Sequence, residues 1–148
     1  VVHLLYGCET WTLFAETERR IQAFENKNLR KLLRISYLEH KTNEYVYNKI
    51  ESLVGPQETL LATVKRRKLQ WYGHVTRHDT LSKTILQGTL EGGRRRGRQR
   101  KAWSDNIKEW TSLNTPELLA AATDRPAWRR LSSSASALSP RRPGRSRD

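Results

Sequence analysis

Lys65-Arg66-Arg67-Lys68 and Arg94-Arg95-Arg96-Gly97-Arg98-Gln99-Arg100-Lys101 hold the side chains best suited to a defined chemistry in this sequence. Ammonium and guanidinium groups at such density neutralise phosphates, and each contact releases condensed counterions from a polyanion. Residues 65–101 carry twelve basic side chains, Arg77 and Lys83 among them, against Asp79 and Glu91. Residues 1–64 balance eight basic against eight acidic, and residues 102–148 hold eight against five. The formal charge of +13 is thus concentrated in the middle of the chain, a field that steers polyanions to one region. The plain alternative is a solvated basic face or a nuclear-import signal. The candidate nucleic-acid-binding set is Lys65, Arg66, Arg67, Lys68, Arg94, Arg95, Arg96, Arg98, Arg100 and Lys101.

Catalysis has less to work with. Nuclease and polymerase sites cluster carboxylates to hold two metals about 3.5–4 Å apart. Here the four aspartates (Asp79, Asp105, Asp124 and Asp148) are scattered, with no Asp-Asp pair. No Gly-Lys-Ser/Thr phosphate loop occurs, and the serines crowd into the C-terminal stretch. His74 and His78 share a helix face at i, i+4, but a zinc site needs further ligands. Cys8, His3 and His40 are distant in sequence, so surface histidines near a helix end are expected. A lone cysteine excludes an internal disulfide. The expectation is no catalytic residue, no metal, no cofactor and no small-molecule substrate.

The elements that would position the basic groups read as helices. The 148 residues fit one domain or two small helical units, and 36% hydrophobic residues against an average near ~45–50% imply a lean core. No apolar run approaches the ~20 residues of a bilayer span, and no secretory leader opens the chain. With no methionine, the chain is expected to be a piece of a longer protein.

Residues 16–36 place Ile21, Phe24, Leu29, Leu32 and Leu33 on one broad helical face, with charged residues opposite. A second helix starts at Thr42 or Asn43, carries Val46, Ile50, Leu53 and Val54, and stops at Gly55-Pro56. A third, over residues 57–78, puts Leu61, Val64, Trp71 and Val75 on one stripe, with the basic tetrad wrapping its exposed side. Residues 80–87 can form a short helix. Residues 88–101, with four glycines among arginines, form a flexible arm. Trp103, Ile107 and Trp110 mark a short amphipathic helix. Thr115-Pro116-Glu117 starts another, and a last turn led by Pro126 ends near Leu131. Residues 132–148 have a disordered tail's composition. The expected fold is all-α: a helical lobe over 16–87, the basic arm 88–101, a short helical lobe over 102–131, and the tail.

Trp71, Trp103 and Trp110 fall on apolar stripes, so core packing is expected ahead of base stacking. Arg96-Gly97-Arg98 resembles the core of an AT-hook, whose glycine lets two arginines lie in a narrow minor groove. Gln99 stands where that element has a proline, and general phosphate contact along the arm is the expectation.

Longer strings carry a second resemblance. They are Leu4-Leu5-Tyr6-Gly7-Cys8-Glu9-Thr10-Trp11-Thr12-Leu13, Glu18-Arg19-Arg20-Ile21, Leu32-Leu33-Arg34-Ile35-Ser36, Lys65-Arg66-Arg67-Lys68-Leu69-Gln70-Trp71-Tyr72-Gly73-His74-Val75 and Gly92-Gly93-Arg94-Arg95-Arg96-Gly97-Arg98-Gln99-Arg100-Lys101-Ala102-Trp103. In that order they resemble the region after the polymerase thumb in LINE-type non-LTR retrotransposon reverse transcriptases. The resemblance implies an upstream endonuclease and reverse-transcriptase palm, neither of which lies in this chain, so no polymerase residue carries over. It also implies that residues 1–15 continue from the thumb and that 1–13 pack against upstream structure, leaving their apolar side chains exposed here. RNA or DNA and the upstream reverse-transcriptase domain are the partners implied, with a nuclear location or a cytoplasmic ribonucleoprotein. A decayed element without activity and a nuclear adaptor are the alternatives.

Overall fold

A computed structural model describes residues 2–78, 81–87 and 101–137, and among them the fold is all-α, as the periodicities require. A single turn, α1 (Val2–Leu5), and a short 3-10 turn (Cys8–Thr10) lead into α2 (Ala15–Leu32). Glu16 and Glu18 in its first turn and Arg30 and Lys31 in its last complement the helix dipole. The chain leaves α2 through a left-handed residue, Arg34 at φ 54°, with Ile35 N–H donating to Arg30 O at 2.9 Å and Arg34 N–H to Lys31 O at 3.1 Å. This is a Schellman closure in which an arginine holds the position usually given to glycine. The helix therefore stops short of the expected Ser36.

Thr42 caps α3 (Asn43–Val54) by accepting from Tyr45 N–H, and Gly55 at φ 85° ends it, both as the sequence predicts. Thr59 caps α4 (Leu60–Arg77), three residues inside the expected start, because its hydroxyl accepts from Ala62 N–H at 3.2 Å. Glu25 of α2 fixes both successors: its carboxylate accepts from Leu60 N–H at 2.8 Å and from Tyr47 O–H at 3.0 Å. Burial, then that contact, raises the phenol's pKa. After α5 (Leu81–Gln87), α6 (Trp103–Thr111) and α7 (Thr115–Thr123) follow. α7 starts at Thr115 as expected, capped by the preceding Asn114 in a reciprocal box with Glu117.

The central helix is α4. Its first half packs on the N-terminal layer, where Leu60, Leu61 and Val64 meet Cys8, Leu13 and Ile21. Its second half meets the C-terminal helices, with Leu69 and Tyr72 against Ile107, Leu118, Ala122, Trp128 and Ala135. Trp110 packs against both groups and closes the seam. The two expected lobes are therefore apposed along one shared helix. Residues 4–13 differ from expectation in part, with Tyr6 still exposed. Cys8 and Leu13 are fully buried, and Leu4, Leu5 and Trp11 pack beside them, so this chain's own α4 covers them. Burial, then the neighbouring Glu9, pushes the Cys8 thiol's pKa up.

Residues 132–137, expected in the tail, belong to α8 (Arg125–Ala137). Ser132, Ala135 and Ser136 lie on one face at i, i+3, i+4 and are buried, and Ala135 joins the core around Leu69 and Tyr72. Their hydroxyls donate within the helix, Ser132 to Trp128 O at 2.7 Å and Ser136 to Ser133 O at 2.9 Å. The apolar stripe of α2, by contrast, is only partly used: Ile21 is buried, whereas Phe24 and Leu32 are exposed.

Candidate nucleic-acid interface

One turn of α4 carries the first basic cluster, and a turn of helix cannot point four consecutive side chains the same way. Lys65 and Lys68, at i and i+3, are in phase with the buried Leu61, Val64, Leu69 and Tyr72, and they turn inward. The Lys65 ammonium lies 3.4 Å from Glu18 Oε1 and 5.2 Å from the Trp110 ring. That of Lys68 donates to Trp11 O and to Asn106 Oδ1, each at 2.7 Å. It also sits 4.5 Å from the Trp103 ring and 5.5 Å from Trp110. With exposures of 2% and 0%, neither lysine reaches a phosphate. The expectation that the tetrad wraps the exposed side is corrected for these two: their stems fill the seam, and carbonyls, a carboxylate and indole faces receive their charges.

Asn106 organises this seam. Its Nδ2 donates to Leu13 O and its Oδ1 accepts from Leu13 N–H, both at 2.8 Å, so one carboxamide satisfies both backbone polar groups of a buried residue. Trp103 Nε1 donates to Glu9 O at 2.8 Å and ties α6 to the N-terminal layer. Burial, reinforced by the Lys101 charge and opposed by Glu109, draws the Lys68 ammonium down to about 7. The carbonyls and indoles around it favour the charged form. This site holds the fold together.

Arg66 and Arg67 take the outer side of the turn. Arg66 grips Glu58, Nη2 to Oε2 at 2.8 Å and Nε to Oε1 at 3.0 Å. That contact holds the Glu58 carboxyl below its ordinary pKa. Arg67 is exposed and donates to Leu5 O at 3.1 Å. Lys101 pairs with Glu109 at 2.6 Å. Arg94, Arg95, Arg96, Arg98 and Arg100, with the arm and its Arg-Gly-Arg element, lie outside the described residues.

The tryptophans are placed as expected. Trp103 and Trp110 are partly buried against the C-terminal core, Trp71 meets Trp103 edge-on at 5.3 Å, and Trp128 is buried. The His74 and His78 rings lie 5.2 Å apart on exposed residues. Among the described residues no three His, Cys, Asp or Glu side chains gather into a metal site, and no helix is long and apolar enough to cross a membrane.

A further cluster went unread in the sequence, because residues 1–64 are neutral in sum. Lys27, Arg30 and Lys31 of α2 line a cleft of about 700 Å3 together with Asn26, Ile35 and Tyr37. Its sequence signal is the recurrence of basic residues on one helical face, continued by an aromatic just past the helix end. Comparison of the chain with protein-family models, with curated proteins and with solved structures gives no match.

Proposed function

We propose that this chain is a non-catalytic nucleic-acid-binding segment, of the kind that follows the polymerase thumb in a LINE-type reverse transcriptase, gripping template RNA or target DNA. The observation that carries the reading is the charge of residues 65–101. With Lys65 and Lys68 withdrawn into the core, ten basic side chains still stand there against two acidic. Arg67 and Arg66 supply a fixed edge on α4, and Arg94, Arg95, Arg96, Arg98, Arg100 and Lys101 supply the arm. Arg66 and Lys101 exchange a carboxylate for a phosphate when they bind. Polymerase chemistry is assigned to no residue of this chain, and its place beside an upstream reverse-transcriptase domain in the nucleus rests on the resemblance.

Binding of a labelled oligonucleotide across a salt series tests the proposal. With about six phosphate contacts, log K should fall with log salt at a slope near −5 on duplex and near −4 on a single strand. Serine at the six arm positions should flatten the slope. A wild-type slope near zero, or absence of a complex at low salt, would refute the reading.

A further inference from the structure

The first 64 residues carry no net charge, yet the fold sorts their charges in space. Basic residues of α2 line one side of the 700 Å3 cleft, and the chain reversal at Arg34 brings Ile35 and Tyr37 to its end. That volume falls in the ~300–1,000 Å3 range of ligand clefts. Arg30 is held by Asn43 Oδ1 at 2.7 Å, and Arg19, at the far end, by Glu16 at 2.6 Å. No carboxylate of the described residues pairs with Lys27 or Lys31.

Two observations set this cleft apart from a merely solvated helix face. The Oδ1 of Asn26, among the lining residues, is buried and accepts no hydrogen bond. Buried polar atoms are rarely left so, and this one belongs to a residue of the cleft wall. Tyr37, beside the lysines, is 87% exposed, its ring 6.1 Å from that of His40.

Cations along a concave wall with an open aromatic face at its end match the needs of an unpaired strand. A duplex keeps its base faces stacked inside and offers none to Tyr37. We infer that the α2 cleft binds a short single-stranded segment of nucleic acid. Lys27 and Lys31 hold consecutive phosphates, and Tyr37 stacks a base. The ligand class rests on the proposed function; the location rests on the cleft itself.

The test uses the full chain and fluorescence anisotropy, with a fluorescein-labelled mixed-sequence DNA hexamer and a labelled DNA hairpin, closed by a polyethylene glycol linker in place of loop nucleotides, as probes. The variants are Lys27→Ser with Lys31→Ser, Tyr37→Ala and Tyr37→Phe, each checked for helicity by circular dichroism. The double lysine variant should lower the hexamer's salt slope by about 1.4. Tyr37→Ala should weaken the hexamer roughly tenfold, with Tyr37→Phe near wild type. Hairpin affinity should not move. If the hexamer binds but every variant keeps its affinity and slope, the cleft is not the site, and the nucleic-acid reading stands. Equal losses for hairpin and hexamer would overturn the strand selectivity. If neither probe binds wild type, the nucleic-acid reading fails and takes the ligand class with it.

Discussion

Replacing Gly73 by alanine sets two effects of known sign against each other. In the interior of a helix such as α4, alanine is favoured over glycine by about 1 kcal/mol. Against this, a Cβ at Gly73 would lie 2.9 Å from Cε2 of the Trp128 indole and closer still to Nε1 and Cδ1. The ring has to move. Trp128 is buried, and its Nε1 donates to Leu69 O at 2.9 Å, so movement breaks that bond and leaves a buried donor unpaired, at a cost of about 1–3 kcal/mol. Displacing the indole from the Tyr72 ring, 5.6 Å away, and from the rest of the core adds roughly 1–3 kcal/mol of overpacking. The clash outweighs the propensity. Gly73→Ala should lose about 2–4 kcal/mol in urea denaturation followed by circular dichroism, a fall of roughly 8 °C in Tm for a chain of this size. In a Trp128→Phe background, with a smaller ring and no donor, most of that loss should disappear, giving a coupling well above additivity. A stabilised Gly73→Ala protein, or identical losses in both backgrounds, would refute the account of α4–α8 packing.

The buried seam supports two further predictions. Lys68 releases its proton near pH 7 in the fold and near ~10.4 in the unfolded chain, so its destabilising contribution is full below pH 7 and fades as pH rises between those values. Urea midpoints at pH 6 and pH 9.5 should show wild type gaining on Lys68→Met by roughly 1–2 kcal/mol, below the ~5 kcal/mol that the whole shift would represent; a difference independent of pH would contradict it. Asn106→Ala strips the partners from the N–H and the C=O of Leu13 and one acceptor from Lys68, and should cost about 3 kcal/mol; a loss under about 1 kcal/mol in the same denaturation assay would refute the role given to the carboxamide.

What was legible in the sequence was local. Thr42 and Gly55 bracket α3 because a hydroxyl cap and a left-handed stop need no tertiary help. The helical character of α4 and α6 followed from apolar spacing in the same way. What failed was the treatment of contiguous runs as units. Lys65-Arg66-Arg67-Lys68 is one run in sequence and two faces in space, and the phase of Leu61, Val64, Leu69 and Tyr72 already assigned the lysines to the inner face. The serine-rich stretch misled similarly: its composition suggests a tail, while the spacing of Ser132, Ala135 and Ser136 gives α8 a buried face. The cleft on α2 was hidden for another reason, since a charge sum over 64 residues erases the separation that folding restores.

The formal charge of +13 counts every lysine and arginine alike, and a polyanion does not. Lys68 is fully buried with its ammonium drawn to about 7, while Glu18, Glu58 and Glu109 answer Lys65, Arg66 and Lys101. Of the expected set, Arg67 is the residue within the described structure that is both exposed and without a carboxylate partner. Under the proposed function, the remaining grip comes from the arginines of residues 94–100 and from cations outside the expected set, of which Lys27 and Lys31 are the pair with a cleft around them. Charge-removing variants on these two groups should lower the salt slope, whereas Lys65 and Lys68 variants should change stability and leave the slope alone. That division separates binding from folding with the same two assays. A Lys68→Met protein that stays folded yet shows a flattened slope would place the ammonium on the nucleic acid after all.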